Sequence, residues 1–406
     1  MTQVSRAPLQ GVRVLDLTRL LPGPACAMHL ADMGAEVVKL EDTGAGDYAW
    51  AALRSQVNRN KRGLQLDLKK EAGKALFLDL CEKVDVVIEG FRPGVMDRLG
   101  VGYEAVKQRN PAIVYCSMTG YGQTGPYSQA AGHDINYIAR AGVADQVGNG
   151  TGTPALSNLP LADLLGGAST ASIGILAALF DAQRTGQGRL VDISFSDGIL
   201  AYAGLPMAAL NEFGQATPAG ATKLTGSAVY YGFYETADGR YIAVGSFERK
   251  FWDEFCELIG REDLKPFHDA SDPEQVNYAK NELGQLIAAY DFAWWCEKLA
   301  GSDCCVTPVL NMGETANDVH FKERGMIIES SNEQGETVRQ LGSPFKMSGF
   351  EFAIRNPSPI AGQHTVEVLR EWGVNSERIQ QLLDDRIVVQ AWIDFFQSND
   401  CFNKSA

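Results

Sequence analysis

A histidine and a carboxylate stand thirty positions apart in this chain. The histidine is His133, in Gly132-His133-Asp134-Ile135-Asn136-Tyr137. The carboxylate is Asp163, in Leu161-Ala162-Asp163-Leu164-Leu165-Gly166-Gly167. Imidazole and carboxyl groups both exchange protons near neutral pH when their surroundings tune them. Two such groups on opposite sides of one carbon can remove a proton from one face and return it to the other. A carboxylate acting alone can instead attack a thioester as a nucleophile. The residue types leave both chemistries open.

The elements around them must bring the two together. Short β-branched runs alternate with helical patterns through the first half of the chain. Strands are expected at 12–17, 36–40, 64–68, 84–89, 113–118 and 190–195, and helices at 26–33, 70–83, 102–109 and 164–184. Such alternation predicts a parallel sheet covered by helices, a Rossmann-like α/β layer fold. His133 follows the glycine-rich stretch 119–126, directly after a strand, and loops of that kind line the sites of open α/β sheets. Asp163 stands before the long helix, where Asp is favoured as an N-cap. That helix start offers N–H groups and a positive dipole end to an oxyanion. Gly166 and Gly167 carry no side chains and would let a ligand approach the backbone.

The pattern changes after about residue 220. Two strands at 228–235 and 241–245, joined by a tight turn, precede helices at 250–258, 277–289 and 292–299. These predict a smaller α+β domain over 225–330, after a large domain over 1–224. The segment 331–406, with a helix at 363–372, is expected to return to the large domain. Its tail past residue 387 is a helix at most.

Composition narrows the classes. The chain has 406 residues, 45% hydrophobic and 21% charged, which suits a soluble globular protein with a sizeable core. Its net charge of −14 disfavours general nucleic-acid binding, so an anionic ligand needs a local cluster of cations. Asn58-Arg59-Asn60-Lys61-Arg62 is one, and Arg92 and Arg98 follow another strand end. The eight cysteines form no C-x-x-C pair and share no metal-ligand spacing with the five histidines. Cysteines in this scattered arrangement suggest a reducing compartment, and a cytoplasmic location is expected. No secretory signal is read at the start, and the apolar run 164–180 reads as a core helix rather than a membrane span. Nucleotide, P-loop, zincin and serine-hydrolase motifs are all absent.

Taken together, these motifs resemble the class III coenzyme A-transferase family, which includes the α-methylacyl-CoA racemases. The resemblance runs from about residue 9 to about 383. It includes Leu20-Leu21-Pro22-Gly23-Pro24, Asn58 to Arg62, Phe91-Arg92-Pro93-Gly94, Met118 to Pro126, both motifs quoted first, and Gly362-Gln363-His364-Thr365. It implies a Rossmann-like large domain plus a small domain, in two chains interlocked like links. Each active site would lie between one chain's large domain and its partner's small domain. The ligand would be an acyl-CoA, with no metal or redox cofactor. Its phosphates would meet Arg59, Lys61, Arg62, Arg98, Arg92 and Lys39.

The His133 motif is similar to the racemase branch and implies His133 and Asp163 as the two acid/base residues. Glu248 occupies the place of a small-domain glutamate that orients the histidine. Leu21 stands where oxalate-type transferases carry a glutamine, and their small-domain glycine-rich loop is missing between Gly245 and Trp252. Two features lean the other way. Gly44-Ala45-Gly46-Asp47 resembles the G-x-G-D of transferases, and Leu159 replaces an asparagine usual in racemases, with Asn158 one position off. In transferases the matching aspartate is a nucleophile. The expected activity is therefore racemisation of a 2-methylacyl-CoA in lipid metabolism, with CoA transfer as the alternative.

Overall fold

The computed structural model describes residues 6–44, 49–148, 153–332 and 335–391. Two compact units are present. One comprises Met1–Ala141, Ser157–Tyr202 and His320–Ala406; the other comprises Gly142–Leu156 and Ala203–Val319. Junctions were expected near 224 and 330; the first unit gives way at Ala203 and resumes at His320. Most of the G-x-G-D motif, residues 149–152 and the tail past 391 lie outside the described residues.

The first unit is built on a sheet of β1 (Arg13–Asp16), β2 (Glu36–Glu41), β3 (Lys61–Leu66), β4 (Val86–Glu89), β5 (Val114–Thr119) and β6 (Leu190–Ser194). These six strands run parallel in the order β3-β2-β1-β4-β5-β6. Helices cover the sheet, so its central strands are continuous apolar runs: Val14, Leu15, Val38 and Val86 to Ile88 are fully buried. From β1 the chain builds outward to β3, then crosses back to β4 on the other flank of β1. That reversal opens a crevice beyond the carboxyl ends of β1 and β4, where ligands of such sheets bind.

The long helix begins earlier than expected and in an unusual form. Ala162–Ser169 is wound as a π-helix and continues as the α-helix Thr170–Thr185. By length and composition Ala162–Thr185 could cross a membrane; one side of it is buried against β5, β6 and the helix Pro22–Asp32. Asp163 is not the N-cap, because it lies within the first wide turn. Gly166 and Gly167 serve packing rather than ligand approach. A Cβ on Gly166 would sit 2.4 Å from the Phe195 carbonyl oxygen, and one on Gly167 would press on the Phe195 ring.

The second unit carries a three-stranded antiparallel sheet of β7 (Tyr231–Glu235), β8 (Tyr241–Gly245) and β9 (Val306–Pro308). The helices Arg249–Leu258, Pro273–Ile287 and Phe292–Leu299 pack Trp252, Phe255, Leu283 and Trp295 into its core. Both buried indoles donate to backbone carbonyls, Trp252 to Leu264 and Trp295 to Ile287.

The late segment of the first unit forms the hairpin β10 (Ile327–Ser331) and β11 (Thr337–Leu341), then β12 (Val388–Val389). β12 pairs antiparallel with β3 and extends the main sheet by one strand. The Gly362-to-Thr365 motif is part of that closure. His364 exchanges backbone and ring hydrogen bonds with Gly63, and the Thr365 hydroxyl donates to Val389.

Candidate active site

The crevice at the sheet reversal holds a cavity of about 690 Å³. Its walls come from the strand ends and the loops that leave them: Leu17 to Leu20 after β1, Gly90 to Pro93 after β4, and Met118 to Tyr121 at the end of β5. His133, Asn136, Tyr137 and Asp163 close another side. The two residues singled out by their chemistry therefore face one cavity.

His133 caps the helix Asp134–Arg140. Its backbone N–H donates to Asn136 Oδ1, 3.0 Å away, which fixes the turn and leaves the imidazole exposed. One residue on, the same helix reaches Asp163: Asp134 Oδ1 accepts the Asp163 backbone N–H at 3.0 Å. One bond thus ties the histidine's helix to the aspartate's helix. It also occupies the donor that the sequence reading offered to an oxyanion. Asp163 itself is partly buried. Burial pushes its carboxyl up to about 6; the Asp134 charge adds to the rise and His133 works against it. A carboxyl at that value can give or take a proton near neutrality.

Aromatic packing holds the frame. Tyr137 meets Tyr121 and Phe195 edge-on, with centroids at 5.2 and 5.6 Å, and its hydroxyl donates to the Gly132 carbonyl. Position 120 must be glycine for this reason: a Cβ there would lie 2.2 Å from the Tyr137 ring. The Thr119 hydroxyl is buried on the cavity wall without a partner among the described residues. Behind the β4 loop, Glu89 is 4% exposed. Burial pushes its carboxyl up to about 7, Ser117 and the Phe91 N–H oppose the rise, and Asp97 and Asp192 add to it. The bond from Phe91 N to Glu89 Oε2 is 2.7 Å and pins the turn that leads to Arg92.

The expected phosphate cluster does not reach this cavity. Arg59 is buried; its Nε and Nη2 bond the Asp32 carboxylate and its Nη1 donates to the Leu341 carbonyl at 2.6 Å. Lys61 is fully buried, and its ammonium donates to Asp16, the Pro24 carbonyl and Asn58, each at 2.9 Å. All three of its protons are spent. Burial alone would raise the Asp16 carboxyl, but Lys61 and Lys39 outweigh it and hold it at about 2. Lys39 is also fully buried and donates to the Thr18 carbonyl. Arg62 bonds Glu36, Glu367 and Glu371. These four cations hold the fold together. Arg92 lines the cavity and is exposed, and Arg98 is exposed on the short helix Val95–Leu99. Sequence reading passed over Arg19, which lines the cavity three residues past the end of β1. Its signal was its place just after a strand of the parallel sheet. Glu248 belongs to the second unit, exposed at the N-cap of the helix Arg249–Leu258.

The pattern of CoA-transferase family III matches residues 9–365. The chain belongs to CoA-transferase family III. It is 37% identical to the alpha-methylacyl-CoA racemase of Homo sapiens over 383 residues, covering 94% of this chain and 97% of that protein. It is 31% identical to the human succinyl-CoA:glutarate CoA-transferase, covering 90% and 86%. Among solved structures, a CaiB/BaiF family protein from Brucella suis superposes with a TM-score of 0.79 at 27% identity, covering 90% of this chain and 99% of that one. The family III chain is thus an enzyme of a group that holds both racemases and CoA-transferases.

Proposed function

We propose that this family III enzyme is an acyl-CoA racemase that exchanges the α-proton of a 2-methylacyl thioester. The observation that carries the reading is the shared cavity of His133 and Asp163. The α-carbon lies between them. One group removes the proton as a base while the other, protonated, delivers a proton to the opposite face; the roles reverse for the other enantiomer. Asp163, held near 6, suits both roles. An α-proton of a thioester is weakly acidic, so the enolate oxygen needs a donor. That oxygen would take over the Asp163 N–H from Asp134, at the start of the π-turn.

CoA enters as part of the substrate, and the side chains carry the chemistry without a metal or redox group. Arg92, with Arg98 beside it, meets the CoA phosphates. The protein works in the cytoplasm as a homodimer, in which the partner subunit brings its small unit to the cavity and Glu248 orients the histidine. The second reading is CoA transfer with Asp163 as nucleophile, favoured by the similarity to the glutarate transferase. His133→Ala separates the two. Loss of α-proton exchange supports racemisation, whereas full CoA transfer to a free acid without exchange sinks it.

A further inference from the structure

A second hollow, of about 390 Å³, opens beside the main cavity. The two share Tyr121, Ala130, Ala131 and Asn136 along their common wall. The side hollow is also lined by Arg140, the last residue of the helix that His133 caps. The Arg140 guanidinium lies over the Tyr127 ring, 4.5 Å from its centroid, and Tyr127 packs against Tyr121 at 5.8 Å. Stacking on the ring favours this placement of the planar cation. Among the described residues no carboxylate pairs with Arg140, and none lines the side hollow. This contrasts with Arg59, Lys61 and Arg62, each neutralised by acids. In a chain of net charge −14, an arginine without an acid partner on the wall of a hollow beside the cavity suits an anionic ligand.

We propose that the side hollow is a carboxylate subsite anchored by Arg140. It deepens the acyl-CoA reading and rests on it. A guanidinium takes a carboxylate through two parallel hydrogen bonds. Seven residues of helix separate His133 from Arg140, about 10 Å at 1.5 Å per residue. That span is the length of a short acyl chain, so a thioester held at His133 and Asp163 can place a distal carboxylate on Arg140. The carboxylate has two possible sources. It is the far end of a dicarboxylic acyl-CoA, or it is a separate free acid bound beside the thioester.

The test is calorimetric titration of the wild type and Arg140→Gln with three probes: hexanoyl-CoA, adipoyl-CoA and free adipate. Wild type is expected to bind adipoyl-CoA about 10- to 100-fold tighter than hexanoyl-CoA, the range for hydrogen bonds to a charged group. Arg140→Gln should erase that preference and leave hexanoyl-CoA binding unchanged. Adipate binding to the hexanoyl-CoA-loaded wild type, lost in Arg140→Gln, assigns the subsite to a free acid. Equal affinity for the two thioesters, with no adipate binding, overturns the subsite alone. So does an equal weakening of both thioesters in Arg140→Gln, which marks Arg140 as a contact to CoA or a structural residue. If neither thioester binds, the acyl-CoA reading falls and the subsite falls with it.

Discussion

At the residue scale, one carboxyl on the cavity and one beside it resist ionisation. Asp163 is held at about 6 against an ordinary 3.8. A raised folded value means that its stabilising share is complete below the unfolded value and is lost as pH rises through 6. At pH 7 the native state therefore carries a cost of up to about 3 kcal/mol, less where water screens it. Asp163→Asn should abolish α-proton exchange and raise the urea midpoint at pH 7, with the gain vanishing below about pH 4. Glu89, held at about 7, adds a second titration beside the cavity. Glu89→Gln should remove an inflection near 7 from the pH–rate profile and leave the one near 6. His133 and Asp163 were legible because each stands in a short motif of distinctive chemistry. Arg59, Lys61, Arg62 and Lys39 were read as phosphate ligands because charge is visible in a sequence and its partner is not. Lys61 finds Asp16 45 residues away, and Arg62 finds Glu367 305 residues away. Lys61→Ala should accordingly destabilise the fold by about 3–5 kcal/mol, by stranding the buried Asp16 charge. Arg92→Gln should raise KM for the acyl-CoA with little change in the unfolding midpoint.

At the element scale, the parallel sheet was readable because burial on both faces forces apolar strands between helical patterns. The π-turn was not, since it keeps the same apolar sequence and changes only the winding. Its position is informative, because such turns recur at functional sites. Here it sets Asp163 on the cavity and packs Gly166 against the helix Phe195–Ala201. Gly166→Ala should force the two helices apart at a cost of about 1–3 kcal/mol, read as a lower urea midpoint. It should also reduce kcat, because Asp163 moves with the turn. The strands β10, β11 and β12 escaped notice for a different reason. The hairpin is largely exposed and β12 spans two residues, so neither carries a long apolar pattern.

At the scale of the whole molecule, the helix Gly204–Phe213 buries none of its side chains within the chain and exposes Leu205, Met207, Leu210 and Phe213. Apolar residues in that arrangement call for a cover, and the proposed homodimer supplies one in a second copy. Leu210→Glu with Phe213→Glu should yield a monomer by sedimentation velocity and a large loss of exchange activity, because the site then lacks its partner's small unit. The central claim is that His133 and Asp163 act on one carbon. The most direct measurement is deuterium entry at the α-carbon of a 2-methylacyl-CoA in heavy water, with and without a free carboxylic acid. Label entering without the acid, and lost in both His133→Ala and Asp163→Asn, is the predicted result. No label in the wild type, with CoA passing to the added acid and lost only in Asp163→Asn, would contradict it and make Asp163 a nucleophile.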